Sequence, residues 1–119
     1  MHFLDYQVAA KRTAKYNHKS YPFLALSEEV GEVMGKLAKH VRKYDKQVDI
    51  VLHNANYPIF DEEKKLRADL VSELGDVLWQ LTMCCHEIGT SLEHVAEENI
   101  RKLMLRDANG TIIGEGDNR

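Results

Sequence analysis

The chain has only two cysteines, Cys84 and Cys85, and they are neighbours. Adjacent residues are poor partners for a structural disulfide within the chain. The pair reads as buried packing in a reducing compartment. Only two prolines and seven glycines interrupt the sequence, and the apolar spacing between them is mostly helical. No run approaches the roughly 18 apolar residues a membrane-spanning helix needs. The opening Met1-His2-Phe3-Leu4-Asp5 lacks the shape of a signal peptide, so the expected location is the cytoplasm with no membrane partner. Basic excess is missing too: the net charge is -3, which argues against a general nucleic-acid binder. The six histidines show no paired ligand spacing, and none follows a glutamate by three residues. That excludes the Glu-x-x-His pattern of di-iron carboxylate bundles. There is no glycine-rich phosphate loop of the Walker type, and no serine or cysteine sits in a recognisable nucleophile motif.

What remains is an ordinary composition for a soluble protein, 44% hydrophobic and 29% charged over 119 residues. That length fits one domain, 1–119. A helical domain this small often gains stability by pairing with copies of itself. The expected fold is therefore all-α, a small bundle of about four helices completed by homo-oligomerisation. The spacing predicts a first helix over Leu4 to Tyr16. A second runs over about Phe23 to Tyr44, with Pro22 at a first helical position and Leu26, Val30, Val33, Leu37 and Val41 as its apolar stripe. Asp61 is a plausible N-cap for a third helix, with Glu62 and Glu63 favourable in its first turn. Leu66, Leu70, Leu74, Val77, Leu81 and Ile88 form one side of it, and Cys84 or Cys85 fills the turn between. Gly89 is a natural stop. Thr90-Ser91-Leu92-Glu93 reads as a capping box for a fourth helix reaching about Arg106. Asn109 to Arg119 reads as a loop or arm. The segment Val48 to Leu52 fits a short strand or a helical turn equally well.

Two carboxylate pairs stand out, Glu29-Val30-Gly31-Glu32 and Glu73-Leu74-Gly75-Asp76. Members three residues apart on a helix point the same way, and like charges so placed weaken the helix by a few tenths of a kcal/mol. Charged stripes at helical spacing are usually solvated faces, and Asp69, Glu73, Asp76 and Gln80 fit such a stripe. Four acids in two matched pairs also suit a hard cation with oxygen ligands, such as Mg²⁺ carrying substrate phosphates. Gly31 and Gly75 sit inside the pairs although mid-helix glycine costs about 0.5–1 kcal/mol relative to alanine. That suggests a close helix approach bringing the pairs together. Glu28 faces about 100° away from Glu29, as a surface acid or as a support or fifth ligand.

On the fourth helix, Asn99, Lys102 and Arg106 fall at i, i+3 and i+7 and share a face. Lys102 and Arg106 suit phosphate oxygens, Arg bidentately; equally, a basic helix C-terminus is favoured by the macrodipole alone. Lys36 follows Glu32 in the favourable order for a helical ion pair. Trp79 suits either stacking on a base or burial in the core.

These residues resemble the all-α nucleoside triphosphate pyrophosphohydrolases, the MazG-like family. The resemblance rests on Glu29-x-x-Glu32, on Glu73-Leu74-Gly75-Asp76-Val77-Leu78-Trp79, and on Asn99-x-x-Lys102. It continues through Leu103, Arg106, Gly110, Gly114, Gly116, Asp117 and Arg119, and the opening Asp5-Tyr6-Gln7 is similar to short phage and bacterial members. It implies an enzyme, a homodimer or homotetramer, that splits a (deoxy)nucleoside triphosphate into the monophosphate and pyrophosphate by metal-activated water. Mg²⁺ is the implied cofactor, with Mn²⁺ as a substitute. The implied metal ligands are Glu29, Glu32, Glu73 and Asp76, with Glu32, Glu73 and Asp76 catalytic. Asn99, Lys102 and Arg106 would hold the phosphates and Trp79 would contact the base. Forty residues separate Glu32 from Glu73, a longer spacer than is usual in the family, with the extra residues in Lys46 to Phe60. Two other functions fit the sequence: a non-catalytic helical dimer acting as an interaction module, and a phosphoribosyl-ATP pyrophosphohydrolase-like enzyme with the same chemistry on a different nucleotide.

Overall fold

A computed structural model of the protein describes residues 1–45 and 60–119. Among these the chain forms four helices and no strand: α1 (Phe3–Lys11), α2 (Tyr21–Tyr44), α3 (Asp61–Glu87) and α4 (Leu92–Ala108). The all-α expectation holds. The segment Val48 to Leu52, and all but Phe60 of the extra residues Lys46 to Phe60, lie outside the described residues. None of the described helices is long and apolar enough to cross a membrane. The chain divides into two units, one made of residues 16–81 and the other of residues 1–15 with 82–119. The division falls within α3.

The 16–81 unit contains α2 and most of α3. Ser20 precedes α2, and its carbonyl accepts from Leu24 N at 3.2 Å. Tyr21 is thus the first helical residue. Pro22 stands one position later than expected, still within the turn where a missing N–H leaves no bond unmade. α2 ends at Asp45, whose backbone is left-handed at φ 49°, a conformation Asp tolerates better than most residues. Asp61 is not an N-cap: the Phe60 carbonyl accepts from Lys64 N at 3.3 Å, so Asp61 is already helical. Its acid suits the first turn there, beside Glu62 and Glu63. The expected stripes are only partly covered. Leu66 is buried, but Val30 is 46% exposed, Leu74 54% and Val41 37%.

The other unit holds α1, the last turns of α3, α4 and the C-terminal tail. Its core is Ala10, Met83, Cys84, Cys85 and Leu92, so both cysteines are buried rather than one or the other. α1 packs against α4, and Gln7 Oε1 accepts from Leu92 N at 3.0 Å. That bond satisfies one of the orphan amides in the first turn of α4. α1 stops at Lys11, short of the expected Tyr16. There Thr13 Oγ1 donates to Ala10 O at 2.7 Å, a side-chain competitor for the helix ladder.

α3 and α4 end in the same way. Gly89, at φ 73°, donates to His86 O, and Thr90 donates to Cys85 O at 2.9 Å. Gly110, at φ 66°, donates to Asp107 O, and Thr111 donates to Arg106 O at 2.8 Å. Each is a Schellman closure that needs a left-handed residue, hence glycine. Thr90 is committed to the first closure. Ser91 is therefore the N-cap of α4, with its Oγ accepting from His94 N at 3.1 Å. The expected capping box from Thr90 to Glu93 is out by one residue, and Glu93 serves only as a first-turn acid.

Candidate active site

In the 16–81 unit, α2 presents Glu29 and Glu32 one turn apart and α3 brings Glu73 to them. Carboxylate oxygens of all three lie within 4.8 Å of one another. Glu73 keeps only 9% of its surface, whereas Glu32 is the most exposed of the three. Two neighbours hold the arrangement. Lys36 Nζ lies 3.2 Å from Glu73 Oε1, and Gln80 Nε2 donates to Glu29 Oε1 at 3.4 Å. Gln80 is itself buried, so it fixes Glu29 from the protein side.

The charge of Glu73, and then its hydrogen bond, raise the proton affinity of Glu32 above the ordinary carboxylate range. Partial burial and the charges of Glu29 and Glu28 push the same way. A single ammonium does not balance three carboxylates. Close-set, oxygen-only and net negative, the cluster fits a hard divalent cation such as Mg²⁺.

Asp76 is exposed and falls outside this three-residue cluster. Glu28 is exposed and acts on Glu32 only through its charge. Lys36 pairs with Glu73 across the helices and not with Glu32, its expected partner on α2. The glycines do not bring the pairs together either: a Cβ at Gly31 or Gly75 would meet nothing within 4 Å. Trp79 is half-buried, with its ring edge-on to Tyr16 at 6.4 Å, and Tyr16 stacks on Tyr21 at 5.6 Å.

In the other unit, Asn99, Lys102 and Arg106 line one cavity of about 700 Å³ between α4 and the tail. They share a face, as their spacing requires. Asn99 and Lys102 are exposed, but Arg106 keeps only 6% of its surface. Its Nη2 donates to Asp117 O at 3.2 Å and lies 3.4 Å from Asp117 Oδ1. Arg106 is thus engaged by the tail, which Arg119 also ties down through Thr111 O and Gly116 O.

The family described as MazG nucleotide pyrophosphohydrolase domain matches residues 16–111. The chain belongs to this family. It is also similar to the Gene 37 protein of Mycobacterium phage L5, 34% identical over an alignment of 128 positions that spans the whole of both chains. No solved structure matches it significantly. The MazG match takes in the acidic cluster and Asn99, Lys102 and Arg106, and it stops before Asp117.

Part of the acidic cluster is legible in its spacing. Glu29 and Glu32 were visible as an i, i+3 pair, and so was Glu73 with Asp76. Gln80 as a brace for Glu29 was hidden inside a polar stripe. The partner expected for Lys36 is Glu32, and the packing of α2 against α3 gives it Glu73 instead.

Proposed function

We propose that the protein hydrolyses a (deoxy)nucleoside triphosphate to the nucleoside monophosphate and pyrophosphate, with Mg²⁺ held at Glu29, Glu32 and Glu73 and Asp76 joining as a further ligand. The observation that carries this reading is the three-carboxylate cluster built from two helices inside a MazG domain. Mn²⁺, with similar oxygen preference, is expected to substitute.

A cation bound there would neutralise the triphosphate and make a water more acidic. In the reaction, water adds to the α-phosphorus, the bond to the bridging oxygen of the β-phosphate breaks, and pyrophosphate leaves. Glu32, the most exposed of the cluster, would take the proton of that water. Glu73 and Glu29 stay fixed by Lys36 and Gln80. Asn99, Lys102 and Arg106 on α4 carry donors of the kind that bind phosphate oxygens. Trp79, beside Tyr16 and Tyr21, offers a face for the base.

We take residues 1–119 as one catalytic domain working in the cytoplasm as a homodimer or homotetramer. Support for assembly comes from α2 and α3, where Leu24, Met34 and Val71 are 61–72% exposed. Covering exposed apolar area favours association. The direct test is pyrophosphate release from a panel of nucleoside triphosphates with and without Mg²⁺. Glu73→Gln is expected to lose at least a hundredfold in kcat while its helical circular dichroism is unchanged.

A further inference from the structure

Beyond the acidic cluster, α2 changes sign. Lys36, Lys39, His40 and Lys43 fall at i, i+3, i+4 and i+7 on one face. They line a pocket of about 280 Å³ with Tyr44 of α2 and Lys65, Glu62 and Asp69 of α3. Two of its four lysines are already neutralised. Lys36 faces Glu73 at 3.2 Å and Lys65 faces Asp69 at 2.7 Å. Lys39 and Lys43 have no ion pair among the described residues. Lys43 instead sits over the Tyr44 ring, 5.2 Å from its centroid.

His40 is the decisive group. It keeps 6% of its surface, and its Nε2 is buried with no hydrogen-bond partner among the described residues. A buried polar nitrogen left unpaired is unfavourable, and native structures usually supply such a group with a partner. Its ring is held in place by Tyr44, at a centroid distance of 4.8 Å. A buried imidazole nitrogen without a partner and two ammonium groups without an ion pair among the described residues, around one small pocket, suit a tetrahedral oxyanion, with lysines as point-charge phosphate binders.

We propose that this pocket is a phosphate-binding site in which His40 Nε2 and the ammonium groups of Lys39 and Lys43 hold a phosphate group. Two sources share this chemistry: free pyrophosphate, and the distal phosphates of a nucleoside triphosphate. Pyrophosphate binding without divalent metal is read without turnover, so its failure is distinguishable from a failure of the hydrolysis proposed above.

The test uses the full chain with histidine imidazoles labelled with ¹⁵N and inorganic pyrophosphate added in the absence of divalent metal. The His40 resonance, identified by its loss in His40→Gln, should shift on titration. The Lys39→Ala/Lys43→Ala double variant alters only exposed side chains and should need at least tenfold more pyrophosphate for the same shift. Lys102→Ala on α4 should leave the His40 titration unchanged. A His40 resonance that ignores pyrophosphate, or one that shifts identically in the double variant, overturns the assignment. Kinetics separate the two sources. A raised KM for triphosphate with unchanged kcat in the double variant places the substrate's own phosphates in the pocket. An unchanged KM with weakened inhibition by pyrophosphate places the free anion there.

Discussion

At the scale of single residues, the cluster shows how three like charges are kept together. Glu73 is nearly buried and pairs with Lys36, Glu29 is gripped by Gln80, and Glu32 is left to absorb the repulsion as a raised proton affinity. The cysteines show the same physics with neutral groups. Burial pushes both thiols up, and for Cys84 the neighbouring Cys85 adds to the effect. A thiol whose pKa is raised by folding stays protonated. Its contribution to stability is therefore present below the ordinary thiol range and is lost as pH rises through the folded value. Since the thiolate is the nucleophile, Cys84 and Cys85 should react with iodoacetamide at about pH 8 at least tenfold more slowly in the native protein than in denaturant. Equal rates would mean that the second half of α3 opens freely.

At the scale of elements, helix ends are where sequence and structure differ most. Two orphan-group solutions compete at Thr90-Ser91. The Schellman closure of α3 takes Thr90, so the cap of α4 passes to Ser91. Ser91→Ala is accordingly expected to destabilise the protein by about 0.5–2 kcal/mol. Thr90→Ala should cost much less, and urea denaturation of the two variants distinguishes them. The four helices and both acidic pairs were legible because helical periodicity and i, i+3 spacing are local properties. So was Gly89 as a stop. The end of α1 was not: beyond Lys11 the backbone turns to i, i+3 bonds and the Thr13 hydroxyl caps the Ala10 carbonyl. The partner of Lys36 and the exposure of Asp76 depend on how α2 meets α3, which no local pattern encodes. The glycines misled for the same reason: Gly31 and Gly75 cost helix stability, yet neither faces the helix it was expected to admit.

At the scale of the whole molecule, several large apolar side chains stand exposed among the described residues. Leu24, Met34 and Val71 stand open on the helices that carry the acids, as do Met104 and Leu105 on α4. Burial of apolar area contributes about 25 cal/mol per Å², so covering these faces favours association. Sedimentation equilibrium should find a dimer or tetramer at micromolar concentration. Met34→Glu combined with Val71→Glu should shift it towards monomer with the helical signal retained. A wild-type protein that sediments as a monomer would remove assembly from the account and leave the acidic cluster to act alone.

In the proposed function, three carboxylates from two helices make this MazG domain a metal-dependent pyrophosphohydrolase. The most direct measurement is the product analysis of a nucleoside triphosphate panel with the wild-type chain and Glu73→Gln, each with and without Mg²⁺. Monophosphate and pyrophosphate formed by the wild type only when Mg²⁺ is present, and not formed by the folded variant, is the predicted result. Release of single phosphate would contradict the cleavage position. Turnover that persists without metal, or in Glu73→Gln, would contradict the role given to the cluster.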